Sequence, residues 1–347
     1  MKKIQMVDLQ TQYQFIKSRV DKGISEVLSS AQFINGPAVK KFQSNLESYL
    51  GVKHVIPCAN GTDALQVAMM GLGLKPGDEV ITADFTYAST VEVIALLGLT
   101  PVLVDVDIDT FNINPQAIEK AITSKTKAIV PVHLFGQPAA MDEILEIAKK
   151  YNLYIIEDNA QALGAYFKNK EGKKIKTGCI GDIGTTSFFP SKNLGCYGDG
   201  GAIFTNNDEL AHLIRGIANH GMYKRYYHDV VGVNSRLDSI QAVVLNEKLK
   251  LLDTYNEKRR KSADIYTSLF KNNPKIITPK VVGDRNSHVF HQYTLRIINS
   301  DRDALSEYLT INKIPFGIYY PVPLHLQKAY ADKRLSLIHI SEPTRLV

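Results

Sequence analysis

The chain has 347 residues, a formal net charge of +6 and three cysteines, and 44% of its residues are hydrophobic while 22% are charged. This length predicts about two domains with a large core, and the mild charge does not indicate a nucleic-acid-binding protein. Cys58, Cys179 and Cys196 lack zinc-ligand spacing, and such a sparse, odd set is typical of a reducing compartment.

Neither end of the chain carries a membrane signal. The N-terminus lacks a signal-peptide pattern, and no stretch reaches the roughly 20 apolar residues that a membrane helix needs, so we expect a cytoplasmic protein. Residues 335–345 read LSLIHISEPTR, which is similar to a translated sequencing-library adapter. We interpret 335–347 as an adapter-derived artefact and expect a truncated C-terminus; a genuine short amphipathic tail is the alternative.

Short apolar runs alternate with helical patterns through most of the chain. Helices are predicted at Gln12–Ser29, Pro37–Leu50, Thr62–Met70, Tyr87–Leu97, Pro115–Ile122 and Met141–Lys150. Strands are predicted at His54–Pro57, Glu79–Ala83, Pro101–Val106, Lys127–Val132, Leu153–Glu157, Gly184–Phe189 and Gly201–Thr205. The basic run Lys168–Lys176 is interpreted as a solvated hairpin or loop. The alternation predicts an α/β fold with a mostly parallel sheet flanked by helices.

A smaller α+β domain is expected to follow. Its predicted elements are a long helix at Leu237–Arg260, a strand at Gln292–Ile298, a helix at Arg302–Ile311 and a strand at Pro315–Tyr319. We therefore divide the chain into a large domain at 31–244 and a truncated small domain at 245–334. The N-terminal segment, 1–30, is expected to pack with the small domain.

A carboxylate ends the strand predicted at Leu153–Glu157. Asp158 follows directly, within Glu157-Asp158-Asn159-Ala160-Gln161. A buried carboxylate is costly unless it is paired, and ligands of open α/β sheets bind outside the carboxyl ends of the strands. Asp158 is therefore either the partner of a buried cation or an ordinary helix N-cap.

Lys192 lies in an apolar and glycine-rich stretch, between Phe188-Phe189-Pro190 and Leu194-Gly195. Most lysines are surface residues. This context instead indicates a desolvated amine with a lowered pKa, which is nucleophilic toward a carbonyl.

Gly61 and Thr62 form a turn between a strand and a helix. Free amides at a helix N-terminus bind anions, although such a turn is also a common structural cap. An anion site, a strand-end carboxylate and a reactive lysine together are what pyridoxal phosphate (PLP) requires for its phosphate, ring nitrogen and aldehyde.

Four motifs carry a resemblance over nearly the whole chain: ANGTDAL (59–65), EDNAQ (157–161), SFFPSKNLGCYGDGGA (187–202) and VGVNSRLDSIQA (231–242). The chain resembles the DegT-type family of PLP-dependent nucleotide-sugar aminotransferases, which have the PLP-dependent transferase fold type I of aspartate aminotransferase. It looks closest to the enzymes that act on UDP-2-acetamido-2-deoxy-3-oxo-glucuronate.

The resemblance implies roles for the cofactor-binding residues. Lys192 would form the Schiff base and act as acid and base, and Asp158 would pair with the pyridinium nitrogen. Gln161 would reach the ring hydroxyl. Phosphate ligands would be Gly61, Thr62 and Ser187, with Asn234 contributed by the neighbouring subunit of a homodimer. Tyr87 would stack on the PLP face; the alternative is a core tyrosine.

Arg236, Tyr320 and His325 are carried over as candidates for the sugar-nucleotide pocket. For His220 and His325 we favour a structural role over a functional one. The implied reaction moves an amino group from glutamate to a nucleotide-linked keto-sugar, with a 3-keto sugar favoured, for cell-surface polysaccharide biosynthesis. Alternatives are a dehydratase of the same family, whose members carry His in place of Lys192, a lyase of the same fold, and a PLP-binding protein without catalytic activity.

Overall fold

A computed structural model describes residues 4–330 and 336–339. Helices are α1 (Leu9–Ser30), α2 (Pro37–Leu50), α3 (Gly61–Gly71), α4 (Ser89–Leu96), α5 (Pro115–Ala121), α6 (Met141–Tyr151), α7 (Asp208–Ile217), α8 (Ser239–Leu249), α9 (Leu252–Phe270) and α10 (Arg302–Ile311). Strands are β1 (His54–Cys58), β2 (Glu79–Ala83), β3 (Thr100–Val104), β4 (Thr126–Val130), β5 (Tyr154–Asp158), β6 (Tyr166–Lys168), β7 (Lys174–Lys176), β8 (Ile183–Ser187), β9 (Gly201–Thr205), β10 (Met222–Lys224), β11 (Tyr227–His228), β12 (Ile276–Ile277), β13 (Arg296–Ile297) and β14 (Ser336–His339).

The central sheet has the order β1-β9-β8-β5-β4-β2-β3-β14. Strands β8, β5, β4, β2, β3 and β14 pair in parallel, whereas β9 runs antiparallel to both β1 and β8. This confirms the predicted α/β fold with a mostly parallel sheet. Residues 335–347, which we interpret from the sequence as adapter-derived, lie outside the described residues except for 336–339.

Helices cover the sheet on both faces, which explains why its strands read as continuous apolar runs. Because successive strand residues point to opposite faces, Ile156 packs with the core of α3 and α7 while Ile155 packs with the core of α5 and α6. Within 4–330 and 336–339, no helix combines the length and hydropathy needed to cross a bilayer.

Helix α1 packs on α8, where Ile16 and Val20 contact Val244 and Arg19 pairs with Glu247 at 3.0 Å. It thus lies against the helix that spans the predicted domain boundary. The division into domains stays a prediction. Its outermost residues, 1–3 and 331–334, lie outside the described part of the chain. The basic run 168–176 belongs to the hairpin of β6 and β7, as the sequence indicated.

The single long helix predicted at Leu237–Arg260 is wrong. The structure has two helices, α8 and α9, with Leu251 at φ −111° and ψ −1° between them. Most residues of α8 are buried, whereas α9 buries few. The break therefore lets an enclosed helix continue into one that lies on the surface.

Two predicted strands of the C-terminal part are also corrected. Only Arg296–Ile297 of Gln292–Ile298 pairs as a strand, and Pro315–Tyr319 forms none. Upstream of β13, backbone groups bond to a turn instead, from Val289 N to Gly136 O and from Gln292 N to Phe135 O. The apolar pattern of the sequence did not reveal these partners.

Candidate active site

Asp158 ends strand β5 with its side chain almost fully buried. Its Oδ2 accepts a hydrogen bond from Thr90 Oγ1 at 2.8 Å, and its Oδ1 accepts one from the Ala160 amide at 3.1 Å. A turn follows this strand, so the alternative of a helix N-cap is wrong. The hydroxyl and the amide thus both donate to this carboxylate at the carboxyl end of a central strand.

Glu157, one residue earlier, points to the other face of the sheet and has a different environment. Its carboxylate accepts hydrogen bonds from the amides of Gly178, Ile180 and Gly181 at 2.6–2.8 Å. His133 Nδ1 accepts from the Ala139 amide, so His133 Nε2 carries the proton that it donates to Glu157 at 2.8 Å. Glu157 is therefore fully engaged in holding the fold.

Lys192 lies in the loop between β8 and β9, where its amide donates to Phe189 O at 2.9 Å. Burial lowers the pKa of its amine, while the nearby charge of Asp158 opposes that shift. A larger fraction of neutral amine follows at physiological pH. Neutral amine is the form that attacks an aldehyde.

Gly61 and Thr62 begin helix α3, where first-turn amides have no acceptor within the helix. Asn60 Oδ1 caps the Asp63 amide at 2.8 Å, which leaves the amides of Gly61 and Thr62 as candidate donors to an anion. A Cβ at Gly61 would lie 2.7 Å from Ser187 Cβ, which explains the glycine. Ser187 Oγ accepts from the Phe189 amide at 3.2 Å and keeps its own proton to donate.

These residues fit PLP. Helix-start amides and two hydroxyls suit the phosphate, a buried carboxylate suits the ring nitrogen, and a desolvated amine suits the aldehyde. Gly61 adjoins Ser187 at the end of β8, and Asp158, which acts on Lys192, ends the neighbouring strand β5.

Gln161 and Tyr320 form a second pair at this edge. Gln161 Oε1 accepts from the Phe135 amide at 2.8 Å, and its Nε2 donates to Tyr320 Oη at 3.1 Å. Burial raises the pKa of Tyr320, so its phenol stays neutral. Tyr87, in contrast, is 62% exposed just before α4, and the alternative of a core tyrosine is therefore wrong.

Asn234 and Arg236 flank the buried Ser235. Ser235 Oγ donates to Asp63 Oδ2 at 2.7 Å and accepts from the Ala59 amide at 3.1 Å, which ties this segment to the start of α3. Asn234 is exposed, and Arg236 Nη1 bonds to Asn219 Oδ1 at 3.4 Å. The segment therefore lies beside the anion turn, and the backbone of Asn234 pairs with Asn219.

The two candidate histidines occupy structural positions. His325 Nδ1 lies 2.7 Å from Asp84 Oδ2, and the His325 amide donates to Asp84 Oδ1 at 2.9 Å. His220 is exposed with φ at +59°, and its backbone pairs with Val233 O and His228 Nδ1. The favoured structural interpretation agrees with both sets of contacts.

Sequence reasoning missed Thr90, Asp84 and Asn193. Thr90 lies in the first turn of α4, three residues after Tyr87, and that position was the available signal. Asp84 directly follows strand β2, so the strand-end argument used for Asp158 would have found it. Asn193 carried no signal beyond its place next to Lys192.

The chain is similar to known aminotransferases. The family model described as DegT/DnrJ/EryC1/StrS aminotransferase family matches residues 14–340. UDP-2-acetamido-2-deoxy-3-oxo-D-glucuronate aminotransferase of Pseudomonas aeruginosa is 48% identical over 96% of this chain and 90% of its own. A protein of Geobacillus stearothermophilus named pleiotropic regulatory protein is 47% identical over 95% of this chain and 87% of its own.

A solved structure is also similar over nearly the whole chain. NtdA from Bacillus subtilis, with bound cofactor PMP, has a TM-score of 0.88 and 32% identity, and the match covers 98% of this chain and 78% of that one. PMP is the aminated form of PLP, the cofactor to which the residues described above are suited.

Proposed function

This chain belongs to the DegT/DnrJ/EryC1/StrS aminotransferase family, and we propose that it transfers the amino group of glutamate to a nucleotide-linked 3-keto sugar. It is a PLP-dependent sugar aminotransferase, and the resemblance on its four motifs is confirmed. Glutamate as donor and the 3-keto position of the acceptor are the parts that we propose. The likeness to the Pseudomonas aeruginosa enzyme supports the second of these.

One observation carries the catalytic part of the proposal: the partly buried Lys192 amine, whose pKa burial lowers, lies within the electrostatic reach of the buried Asp158 carboxylate. An amine that attacks a carbonyl has to be neutral, and a carboxylate that holds a ring proton has to be ionised. Burial favours the first state, and the donors Thr90 and Ala160 favour the second.

PLP, when bound, supplies an electron-withdrawing ring that accepts the electron pair of the bond broken at the donor α-carbon. In our proposal Lys192 would hold PLP through its aldehyde, and as a free amine it would move the α-proton of glutamate. Asp158 keeps the ring nitrogen protonated. In the net reaction, glutamate and the keto-sugar would give 2-oxoglutarate and the amino-sugar, because the amino group and the keto oxygen change places between the two substrates.

Other residues would orient the cofactor. Gly61 and Thr62 offer amides and a hydroxyl to the phosphate, and Ser187 offers a second hydroxyl. Gln161 is hydrogen-bonded to Tyr320. These two side chains would therefore hold the edge of the PLP ring that carries the hydroxyl group. The exposed ring of Tyr87 is free to stack on the cofactor face.

We further propose a homodimer in the cytoplasm, with Asn234 of one subunit completing the phosphate site of the other. Support comes from the exposed Asn234 side chain, whose neighbour Ser235 is bonded to Asp63 in the first turn of α3. Arg236, on the same segment, would face the sugar nucleotide together with Tyr320. His325 is engaged by Asp84 and is not proposed as a ligand.

The rival functions are distinguished by chemistry. A dehydratase of this family carries His where this chain has Lys192. The name of the Geobacillus stearothermophilus relative favours a regulatory role as the second candidate. PLP-loaded protein is tested with glutamate and a panel of UDP- and dTDP-linked keto-sugars. Amination of a 3-keto sugar supports our proposal, whereas PLP binding with no spectral response to glutamate supports the regulatory or lyase function.

A further inference from the structure

Asn193, the residue after Lys192, is the point where the lysine loop contacts the C-terminal part of the chain. Its side chain is 5% exposed. Asn193 Nδ2 donates to Asn256 Oδ1 on α9 at 2.7 Å and to Val289 O at 3.2 Å. Asn256 is itself buried and donates to Leu163 O at 3.2 Å, so the junction is anchored on both sides.

The remaining contact of Asn193 determines the state of a histidine. Both N–H groups of the Asn193 amide are used as donors, and its Oδ1 can only accept. Asn193 Oδ1 therefore accepts a hydrogen bond from His291 Nδ1 at 3.2 Å. His291 therefore carries its proton on Nδ1. Burial, together with the charges of Lys192 and Arg259, keeps the pKa of His291 well below its usual range, so the ring is neutral and its Nε2 is unprotonated.

The segment that carries His291 is held from its other side as well. Val289 donates its amide to Gly136 O at 2.9 Å, and Arg259 Nη1 donates to the carbonyls of Phe290 and His291 at 3.2 Å. A Cβ at Gly136 would lie 2.9 Å from Val289 Cγ2, so the two segments are in close contact. His291 is thus a fixed, neutral neighbour of Lys192.

We infer that Asn193 is a positioning residue for Lys192, which keeps water and positive charge away from the amine by holding His291 and α9 against the lysine loop. The inference rests on the proposed function only in taking Lys192 as the amine that reacts with PLP. Three charged groups act electrostatically at this junction. The charge of Asp158 acts on Lys192, and the charges of Lys192 and Arg259 act on His291.

The test uses Asn193→Ala, which opens the packing around Lys192, and Asn193→Asp, which keeps the volume but places a carboxylate against His291. Asn246→Ala is the matched control. Asn246 is equally buried, donates to Ala38 O at 3.0 Å and accepts from Asn45 at 2.8 Å, but it lies on α8 away from the lysine loop. The full-length protein is stripped of PLP, and its rate of PLP capture is followed by absorbance across pH.

Capture requires the neutral amine, so its pH profile reports the pKa of Lys192. Added water and added negative charge both favour the charged amine, so the midpoint rises in Asn193→Ala and rises further in Asn193→Asp. A rise of one unit slows capture at neutral pH about tenfold. The midpoint in Asn246→Ala stays at the wild-type value, while its Tm falls as in Asn193→Ala.

An unchanged midpoint in both Asn193 variants overturns the inference, because Asn193 would then only stabilise the fold. If Asn193→Ala does not fold, Asn193→Asp decides by the same criterion. Capture of PLP needs neither glutamate nor a sugar. A wild-type protein that captures PLP but ignores glutamate contradicts the proposed function and leaves this comparison valid.

Discussion

Thr90 Oγ1 donates a hydrogen bond to Asp158 Oδ2 at 2.8 Å, which connects the buried face of helix α4 to the carboxylate at the end of β5. A hydrogen bond to a charged group contributes about 1.5–3 kcal/mol. Thr90→Val removes that donor with little change in shape. We expect PLP still to bind and kcat to fall about 10- to 100-fold, the kinetic equivalent of that energy.

Thr82→Val is the control for Thr90→Val. Thr82 is also buried and donates from Oγ1, but to the neutral Val130 O at 2.9 Å. Both variants lose a buried hydroxyl, so a similar fall in Tm is expected. Steady-state kinetics in which both variants keep the wild-type kcat would show that Thr90 does not act through Asp158.

Glu157 and Asp158 are adjacent, but substitutions at the two positions are expected to have different effects. Glu157→Gln sets an NH2 group against backbone N–H donors and costs about 2–4 kcal/mol of unfolding free energy, with near-normal activity of the folded protein. Asp158→Asn removes the ring-nitrogen partner, so activity is lost with a smaller change in stability. Urea unfolding and kcat are measured on both; the reverse pattern would contradict the assignment.

His325 is expected to contribute to stability rather than to substrate binding. His325→Ala leaves the buried Asp84 carboxylate without its 2.7 Å partner, which costs about 1–3 kcal/mol. KM for the keto-sugar should change less than threefold, since an effect below about 0.7 kcal/mol is expected for a residue that does not touch substrate. Unchanged unfolding with a large rise in KM would instead return His325 to the substrate pocket.

Lys248 gives the fold a specific pH dependence. Its side chain is buried, its Nζ donates to Gly195 O at 2.7 Å, and burial lowers its pKa to about 8. The unfolded chain therefore binds more protons than the folded one between about pH 8 and the ordinary lysine pKa of about 10.4, so this residue makes stability rise with pH in that range.

The comparison for Lys248 is wild type against Lys248→Met, since other groups also titrate above pH 8. The difference in unfolding free energy, wild type minus variant, should increase by about 1–3 kcal/mol from pH 8 to pH 10. Denaturant unfolding at several pH values measures it. A difference that is flat or falls with pH would mean that Lys248 stays charged in the folded protein.

The sequence predicted the sheet well because its strands are buried on both faces and their apolar runs are bounded by clear turns. The break at Leu251 had no such signal, since no glycine or proline lies between Leu237 and Arg260. The positions of Lys192, Asp158 and Gly61 followed from strand ends and motifs. Thr90 and Asn193 did not, because their importance depends on partners 68 and 63 residues away along the chain.

The central claim is that Lys192 is the amine that reacts with PLP and then moves the donor proton. Lys192→Ala is compared with wild type by absorbance of the PLP-loaded protein before and after addition of glutamate. We predict that wild type loses the absorbance of lysine-bound PLP on addition of glutamate, whereas Lys192→Ala never shows that absorbance and produces no 2-oxoglutarate. Full transamination by Lys192→Ala would contradict the assignment.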